Sequence, residues 1–210
     1  MTEDLRLTQL LCSRLCHDLV GPVGAINNGV ELIGDAPDML EDTLSLLNNS
    51  ANQASRRLAF YRAAFGFGGG DGTGALKEVR DISHDFVTDG NVTLNWPDNS
   101  VMVTLPKNTV KLLMNLILLG VGTLIRGGTL DVQIAEQGGT ASMSVKAAGK
   151  GAILKDDLQA ALNPEFSVDD LTAHTVHAHF AAKLAGYVGA EINVQESAGD
   201  EITFAAIISI

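Results

Sequence analysis

A histidine followed directly by an aspartate, His17-Asp18, interrupts the apolar stretch LCSRLCHDLVGPVGAINNGVELI of residues 11–33. A neutral imidazole nitrogen can attack phosphorus, and a neighbouring carboxylate can accept a hydrogen bond from the other ring nitrogen. That hydrogen bond fixes the tautomer and stabilises the positive charge that develops on the ring. The pair can therefore carry a phosphoryl group as phosphohistidine, although a His-Asp pair without further context is more often an ordinary surface feature.

Small residues surround His17 in a helical arrangement and leave its surface open to another protein. Glycine costs a helix about 1 kcal/mol relative to alanine, so Gly21, Gly24 and Gly29 are unfavourable in a helix with a purely structural role. Pro22 lacks an amide hydrogen and should bend the helix just after the histidine. This context favours a catalytic histidine. The residues of this helix that we predict to contact a partner protein are Ser13, Arg14, Val20, Gly21 and Gly24.

Apolar residues recur at alternating spacings of four and three along the first 65 residues, which is a heptad pattern, and we call them the heptad stripe. Its first half comprises Cys12, Cys16, Leu19, Val23, Ile26, Val30 and Ile33, and its second half comprises Leu40, Leu44, Leu47, Ala51, Ala54, Leu58, Tyr61 and Phe65. His17 and Asp18 fall beside the stripe and are predicted to face away from it. Two helices with one narrow stripe each bury it poorly alone. The pattern therefore predicts a homodimer in which two helical hairpins form a four-helix bundle.

Six glycines among the nine residues of GFGGGDGTG, residues 66–74, end the second helix and are typical of a linker. No Lys-Ser or Lys-Thr follows them, so they do not form a phosphate-binding P-loop. The sequence predicts a dimerisation and histidine phosphotransfer hairpin at residues 1–66, a Gly-rich linker at 67–74 and a second domain at 75–210.

Helical and strand patterns alternate through the second domain. We predict helices at residues 75–87, 107–125, 154–162 and 168–189, and strands at 91–97, 100–106, 129–136, 141–147, 191–197 and 201–210. The first two strands are expected to pair as a hairpin, and the last two as another. Helices grouped against a mixed or antiparallel sheet form an α/β sandwich, so the predicted fold class is α+β.

The composition limits the partners and the location of the protein. A hydrophobic fraction of 46% can form a real core, and the formal net charge of −11 disfavours nonspecific binding to nucleic acid or to an anionic membrane. No apolar run approaches the roughly 20 residues that span a bilayer, and the N-terminus is polar and acidic. We expect a cytoplasmic protein whose partners are proteins or small molecules.

Two sets of side chains are alternative metal ligands. They are Cys12, Cys16 and His17 in the first helix, and His174, His177 and His179 in the last predicted helix. The two cysteines fall on the heptad stripe, where burial explains them, and also lie on one helix, so a disulfide framework is improbable. His174 and His177 share a face of the predicted helix, but no HExxH motif or cysteine pair accompanies them. A metal site is therefore the weaker interpretation in both places.

The segment His17-Asp18-Leu19-Val20-Gly21-Pro22 resembles the H-box of sensor histidine kinases, which lies on the first helix of a dimeric bundle. The whole chain is similar to the alphaproteobacterial histidine phosphotransferases of the ChpT type, in which this bundle precedes a degenerate copy of the kinase ATP-binding domain. The resemblance implies that the histidine, aided by the aspartate, moves phosphoryl groups between receiver domains of a hybrid histidine kinase and of response regulators. It also implies that this chain binds no cofactor, with magnesium held by the partner receiver domain.

Three motifs of the kinase ATP-binding domain are altered. Asn115 matches the first Asn of one motif, but Leu119 occupies the metal-binding place, and an aliphatic side chain cannot coordinate magnesium. Ala147 stands where an aspartate should bind adenine, and Thr175 and His177 stand where glycines should open a phosphate loop. These changes imply a phosphotransferase that does not use ATP.

The second helix should complete the docking surface around His17. Antiparallel counting about Ala36 brings His17 beside about residue 55, at a rise of about 1.5 Å per residue. The predicted partner contacts on this helix are Ser55, Arg56, Ala59 and Arg62. Arg14, Arg56 and Arg62 form a predicted basic patch that could steer an acidic receiver domain, or they could simply keep the bundle soluble.

Two function classes remain open on the sequence. One is the phosphotransferase with His17 as acceptor and donor, and the other is a dimeric binding module that regulates a receiver or kinase without carrying phosphate. Gly21 stands four residues after His17, where many bifunctional kinases place a Thr or Asn that orients a hydrolytic water. Its absence favours transfer of the phosphoryl group over hydrolysis.

Overall fold

The computed structural model describes residues 2–35, 37–66, 75–88, 90–98, 103, 105–106, 108–197 and 199–210. Two long helices, α1 (Glu3–Asp35) and α2 (Leu40–Phe65), form the predicted hairpin around a 3₁₀ turn at Pro37–Met39. Helix α1 begins eight residues before the apolar stretch of residues 11–33, and it continues without interruption through Pro22. The segment predicted as a linker, residues 67–74, lies outside the described residues.

The rest of the described chain is an α/β sandwich. Its helices are α3 (Ala75–Val87), α4 (Thr109–Thr123), α5 (Asp156–Ala161) and α6 (Val176–Tyr187), and its strands are β1 (Val92–Asn95), β2 (Gly128–Gln137), β3 (Thr140–Ala148), β4 (Asn193–Ser197) and β5 (Glu201–Ser209). The strands form one sheet in the order β1-β2-β3-β5-β4, in which β1 is parallel to β2 and the other pairs are antiparallel. The predicted α+β class and sandwich are confirmed.

Helix α4 forms the centre of the sandwich. It is apolar on nearly all sides because the sheet covers one face while α2, α3 and α6 cover the others. A Cβ at Gly120 would lie 2.7 Å from Leu130 Cδ2 of β2, so the glycine allows α4 to approach the sheet closely. Leu119 and Ala147, two of the altered nucleotide-motif residues, lie in this same core.

Two sequence predictions in this region need correction. The helix predicted from residue 168 begins only at Val176, because Thr172 and Thr175 bond each other's backbone and close a turn that competes with the helix. The predicted first strand pairs in parallel with β2, because Gly128–Asp131 rather than a following strand lies beside it. Its predicted hairpin partner, residues 100–106, lies largely outside the described residues.

The hairpin packs directly on the sandwich, and the two share one hydrophobic core. Phe60 of α2 stacks on Phe86 of α3 with ring centroids 4.0 Å apart. Asn115 of α4 donates from Nδ2 to the backbone oxygen of Ala64 at 3.1 Å, so the remaining residue of the magnesium motif now binds the end of α2. The described residues of the hairpin and the sandwich therefore contact each other, and the predicted domain boundaries stay a prediction.

Within the hairpin, mainly small residues make the buried contact between the helices. A Cβ at Gly29 would lie 2.8 Å from Leu47 Cδ2, which shows how closely the helices approach. Outside the core shared with the sandwich, which contains Phe60, Tyr61 and Ala64, the buried residues of the two helices are Pro22, Gly29, Thr43, Ser50 and Ala54. The heptad stripe is largely exposed, and Cys12 and Cys16, predicted to be buried, are exposed because the single chain does not cover this face. None of the described helices is both long and apolar enough to span a membrane.

Candidate active site

His17 lies on the exposed face of α1, as its heptad position predicts. Its side chain is 66% exposed, and its Nδ1 lies 3.3 Å from Oδ1 of Asp18. When the carboxylate accepts a hydrogen bond from Nδ1–H, the lone pair of the neutral imidazole is on Nε2. The nucleophilic nitrogen is then the one that points away from Asp18.

Asp18 was predicted only to face away from the heptad stripe, and in the structure that side of α1 is largely covered. Its side chain is only 15% exposed, because it turns into the junction between the hairpin and the sandwich. Arg14 Nε donates to its Oδ2 at 2.8 Å and Tyr61 Oη donates to the same oxygen at 2.6 Å. Arg57 donates to the backbone oxygen of Asp18. The carboxylate that orients His17 is thus itself fixed by both helices.

These contacts keep the carboxylate charged. Partial burial by itself would raise the pKa of Asp18, but the hydrogen bonds from Tyr61 and Arg14 and the charge of Arg14 outweigh it, so the pKa lies below its usual value. Burial and the neighbouring Asp18 raise the pKa of Tyr61. At neutral pH the tyrosine is therefore a hydrogen-bond donor, and Asp18 is an acceptor for His17.

The predicted basic patch is changed by the same contacts. Arg14 is half-buried, forms an ion pair with Asp18 and donates from Nη1 to the backbone oxygen of His174 at 3.3 Å. It therefore orients the site from within and is not an exposed charge for steering. Arg56 is half-buried, whereas Arg62 is exposed.

The register of the hairpin also differs from simple counting. The residues of α2 that reach Asp18 are Arg57 and Tyr61, and the close approach of Gly29 to Leu47 agrees with that alignment. The level of His17 is thus about one helical turn closer to the C-terminus of α2 than predicted, because the 3₁₀ turn shifts the start of α2. Ser55 is exposed and Ala59 half-buried, and contact of either residue with a partner stays a prediction.

The surface beside His17 is open in the predicted way. Val20 and Ser13 are exposed, and a Cβ added at Gly21 or Gly24 would meet nothing within 4 Å. These glycines therefore do not serve close packing within this chain. The open surface leaves room for a second protein to approach the imidazole.

The altered nucleotide motifs are filled with packed side chains. Leu119, Ala147 and His177 are all buried. Burial lowers the pKa of His177 to about 3, so this imidazole is neutral at physiological pH. In the described part of the chain, no three His, Cys, Asp or Glu side chains converge closely enough to hold a metal ion.

Sequence reasoning missed three residues that the fold brings to the site. Tyr61 was assigned to the heptad stripe, Arg57 was passed over for its neighbour, and His174 was placed on a helix although it belongs to the loop before α6. The i, i+4 spacing of Arg14 and Asp18 is a signal that could have predicted their ion pair. The contacts of Tyr61, Arg57 and His174 with the site are long-range and have no such local signal.

Comparisons with known proteins identify the family of the chain. Residues 76–200 match the family model described as the histidine phosphotransferase C-terminal domain. The protein phosphotransferase ChpT of Brucella abortus (strain 2308) is 36% identical over 208 residues, which cover 96% of this chain and 95% of that protein. A solved structure described as a bacterial phosphotransferase is 32% identical, with 96% of each chain covered and a TM-score of 0.84. The chain therefore belongs to the histidine phosphotransferase family that includes ChpT.

Proposed function

We propose that His17 is the residue through which this phosphorelay histidine phosphotransferase accepts and donates the phosphoryl group. The observation that carries the proposal is the hydrogen bond between an exposed imidazole and a half-buried, charged carboxylate, Asp18. An exposed nucleophile can meet a partner protein, while a buried and fixed carboxylate holds it in one tautomer. His84, by contrast, is an exposed histidine on α3 and has no part in this cluster.

The chemistry requires no net movement of a proton. Nε2 of neutral His17 attacks the phosphorus of a receiver phosphoaspartate, an N–P bond forms, and the P–O bond to the receiver carboxylate breaks. The ring becomes positively charged, and Nδ1–H donates to Asp18, whose negative charge stabilises the product. Transfer to the next receiver reverses these steps. Magnesium is expected on the receiver, where it would neutralise the phosphoryl oxygens.

The partners we propose are receiver domains of a hybrid histidine kinase and of response regulators, encountered in the cytoplasm. Arg62 is exposed on α2 beyond the site, and an acidic receiver would be attracted to it in spite of the net charge of −11. The open surface at Gly21 and Gly24 would take the receiver's backbone. We further propose that the chain does not use ATP, which is supported by the burial of Leu119 and Ala147 in the core.

A second copy of the chain is the occupant we propose for the heptad stripe. Val23, Val30, Leu44 and Leu58 are exposed on one periodic stripe of the hairpin, and a stripe that repeats every 3.5 residues is the pattern of helix pairing. Leu15, Leu19, Leu58 and Phe65 also line an apolar groove on this side. Two hairpins paired there would form a four-helix bundle and leave both His17 side chains accessible.

The central test is phosphoryl transfer from a phosphorylated receiver domain to the purified protein. Wild type should take up an acid-labile, base-stable label, and His17→Gln should take up none, since the side-chain amide is not a nucleophile. His84→Gln is the matched control and should label as wild type does. Label retained by His17→Gln would refute the assignment. A wild-type protein that binds the receiver but never takes the label would favour the regulatory binding module.

A further inference from the structure

A second imidazole lies against His17. The ring of His174, from the loop before α6, has its centroid 5.6 Å from that of His17, and the ring planes are inclined by 78°. This is an edge-to-face contact between two exposed side chains, one on the helical hairpin and one on the sandwich. The nucleophile is therefore not alone on its surface, although 156 residues separate the two histidines along the chain.

The backbone of His174 is held in place from two sides. Thr172 Oγ1 accepts hydrogen bonds from the amides of His174 and Thr175, at 3.2 and 3.3 Å, and Thr175 Oγ1 accepts one from the amide of Thr172 at 3.0 Å. From α1, Arg14 donates to the backbone oxygen of His174. The same arginine binds Asp18, so one side chain couples the position of His174 to the carboxylate that orients His17. A fixed loop is the usual support of a positioned functional group.

We propose that His174 is a positioning residue for the phosphorylated state, whose ring N–H donates a hydrogen bond to the phosphoryl oxygens on His17. This inference rests on the proposed role of His17. A phosphoryl group brings negative charge and strong acceptor oxygens to a surface where Arg14 and Arg57 already donate to the oxygens of Asp18 and of the backbone. Nε2 points away from Asp18, so the phosphoryl group projects outward, where an exposed ring 5.6 Å away can turn an N–H toward it.

The arginines next to His17 already donate hydrogen bonds to other acceptors, which leaves His174 as the donor for the phosphoryl oxygens. Arg14 donates to Asp18 and to a backbone oxygen, and Arg57 donates to the backbone oxygen of Asp18. His177, one turn into α6, is buried and cannot reach the surface. Within the described part of this face, His174 is the side-chain donor that contacts His17 without being committed to the carboxylate.

His174 exchanges no atoms in the reaction. During transfer the N–P bond on His17 forms as the P–O bond of the receiver breaks, and His174 keeps its proton while its N–H follows the phosphoryl oxygens. A donor that strengthens as the group arrives lowers the barrier in both directions, because the outgoing transfer passes through the same geometry. The result is faster transfer of the phosphoryl group both to and from His17.

The experiment compares three substitutions at one position. His174→Ala removes ring and donor, His174→Phe keeps a ring without a donor, and His174→Gln keeps a donor without a ring. Single-turnover transfer from a phosphorylated receiver domain is measured over a range of receiver concentrations. We expect His174→Ala and His174→Phe to lower the saturating rate about tenfold, as for one lost hydrogen bond to a charged group, and His174→Gln to restore most of it.

The controls separate this inference from the role of His17. His84→Ala should transfer as wild type does, and circular dichroism should confirm that the variants are folded. If wild type takes no label, the proposed function fails and this inference with it. If wild type is labelled but His174→Phe matches it, or His174→Gln is as slow as His174→Ala, the donor role alone is overturned. A change confined to the half-saturating receiver concentration would likewise overturn it, because that result assigns His174 to docking.

Discussion

Leu112, Leu113 and Leu116 on α4 have no exposed surface, whereas Val30 and Leu44 on the helical hairpin are 59% and 51% exposed. The core around α4 is thus complete, with α2 as part of its cover, whereas the heptad stripe of the hairpin is left uncovered. Large apolar side chains exposed on one periodic face mark a surface that another protein covers. The difference places most of the stability in the core around α4 and agrees with the proposed association through the hairpin, with the candidate site at the junction between them.

The glycines of the hairpin repeat this difference on a smaller scale. Gly29 lies against Leu47 and serves packing within the chain, while Gly21 and Gly24 have open space where a side chain would be. Near His17 the helix therefore sacrifices intrinsic stability without any gain in its own packing. That is expected where a partner's surface must approach the imidazole closely.

The largest change in the free energy of unfolding should come from a substitution in the buried core around α4. We expect Leu116→Ala to lower the free energy of unfolding by about 2–5 kcal/mol, because the cavity at a fully buried leucine cannot collapse completely. Ile207→Ala, at an exposed position of β5 in the sheet that packs on α4, is the control and should stay within about 0.5 kcal/mol of wild type. Urea denaturation measures both. Equal losses would contradict the view that the sandwich core is the main source of stability.

The next effect concerns association of the hairpins. Leu44→Glu and Leu58→Glu should weaken a dimer at least tenfold, equal to about 1.4 kcal/mol, because each copy would bring an unpaired carboxylate into an apolar contact. Light scattering should find wild type at twice the monomer mass of 22.1 kDa and the variants shifted toward the monomer, with unchanged circular dichroism. Ile207→Glu, on the sandwich, should remain at the wild-type mass. Wild type at 22.1 kDa would refute the proposed dimer.

Buried His177 should make the sandwich acid-sensitive. Its pKa of about 3 in the folded protein is far below the usual value near 6.5, so the unfolded chain binds a proton that the folded protein does not. Stability should therefore fall as the pH is lowered from about 6.5, by up to about 1.4 kcal/mol per pH unit.

Denaturation of wild type and His177→Leu at pH 7 and pH 5 measures this slope. The low pKa of Asp18 contributes only at more acidic pH, so it does not affect the comparison. His177→Leu should reduce this slope, and part of it should remain because burial also lowers the pKa of His179. The same slope in His177→Leu and wild type would place the acid sensitivity elsewhere.

Substituting the hairpin glycines should change stability in opposite directions. Gly21→Ala and Gly24→Ala should each stabilise the fold by about 0.5–1 kcal/mol through helix propensity, while Gly29→Ala should destabilise it because the new methyl group would overlap Leu47. Urea denaturation measures the sign. Gly21→Ala should also weaken receiver binding, and unchanged receiver affinity would remove the open surface from the docking site.

The smallest effect is electrostatic. Arg62→Glu should slow association with a receiver domain about threefold at low salt, with little change at high salt, because exposed charges act mainly through long-range attraction. Arg126→Glu makes the same charge change at an exposed loop of the sandwich and should not alter the rate. Stopped-flow association at both salt concentrations measures the effect. Equal slowing by both variants would indicate net charge and not a local docking surface.

Local periodicity was sufficient to predict the hairpin, most of the sandwich elements and the exposure of His17. Each depends on spacings of two, three or four residues, which dictate the side of a strand or helix on which a residue lies. Prediction from periodicity fails where local side-chain hydrogen bonds compete with a helix. The hydrogen bonds between Thr172 and Thr175 delay α6 although the apolar pattern before Val176 favours a helix.

The surroundings of His17 were decided by the tertiary structure. Periodicity placed Asp18 away from the heptad stripe but could not show that the sandwich covers that side, so its half-buried bonds to Arg14 and Tyr61 were not predicted. The contact between His17 and His174 depends on how the hairpin packs against α6, which lies far from α1 along the chain. Such contacts follow from shape and core packing between distant segments, and no short-range spacing in the sequence encodes them.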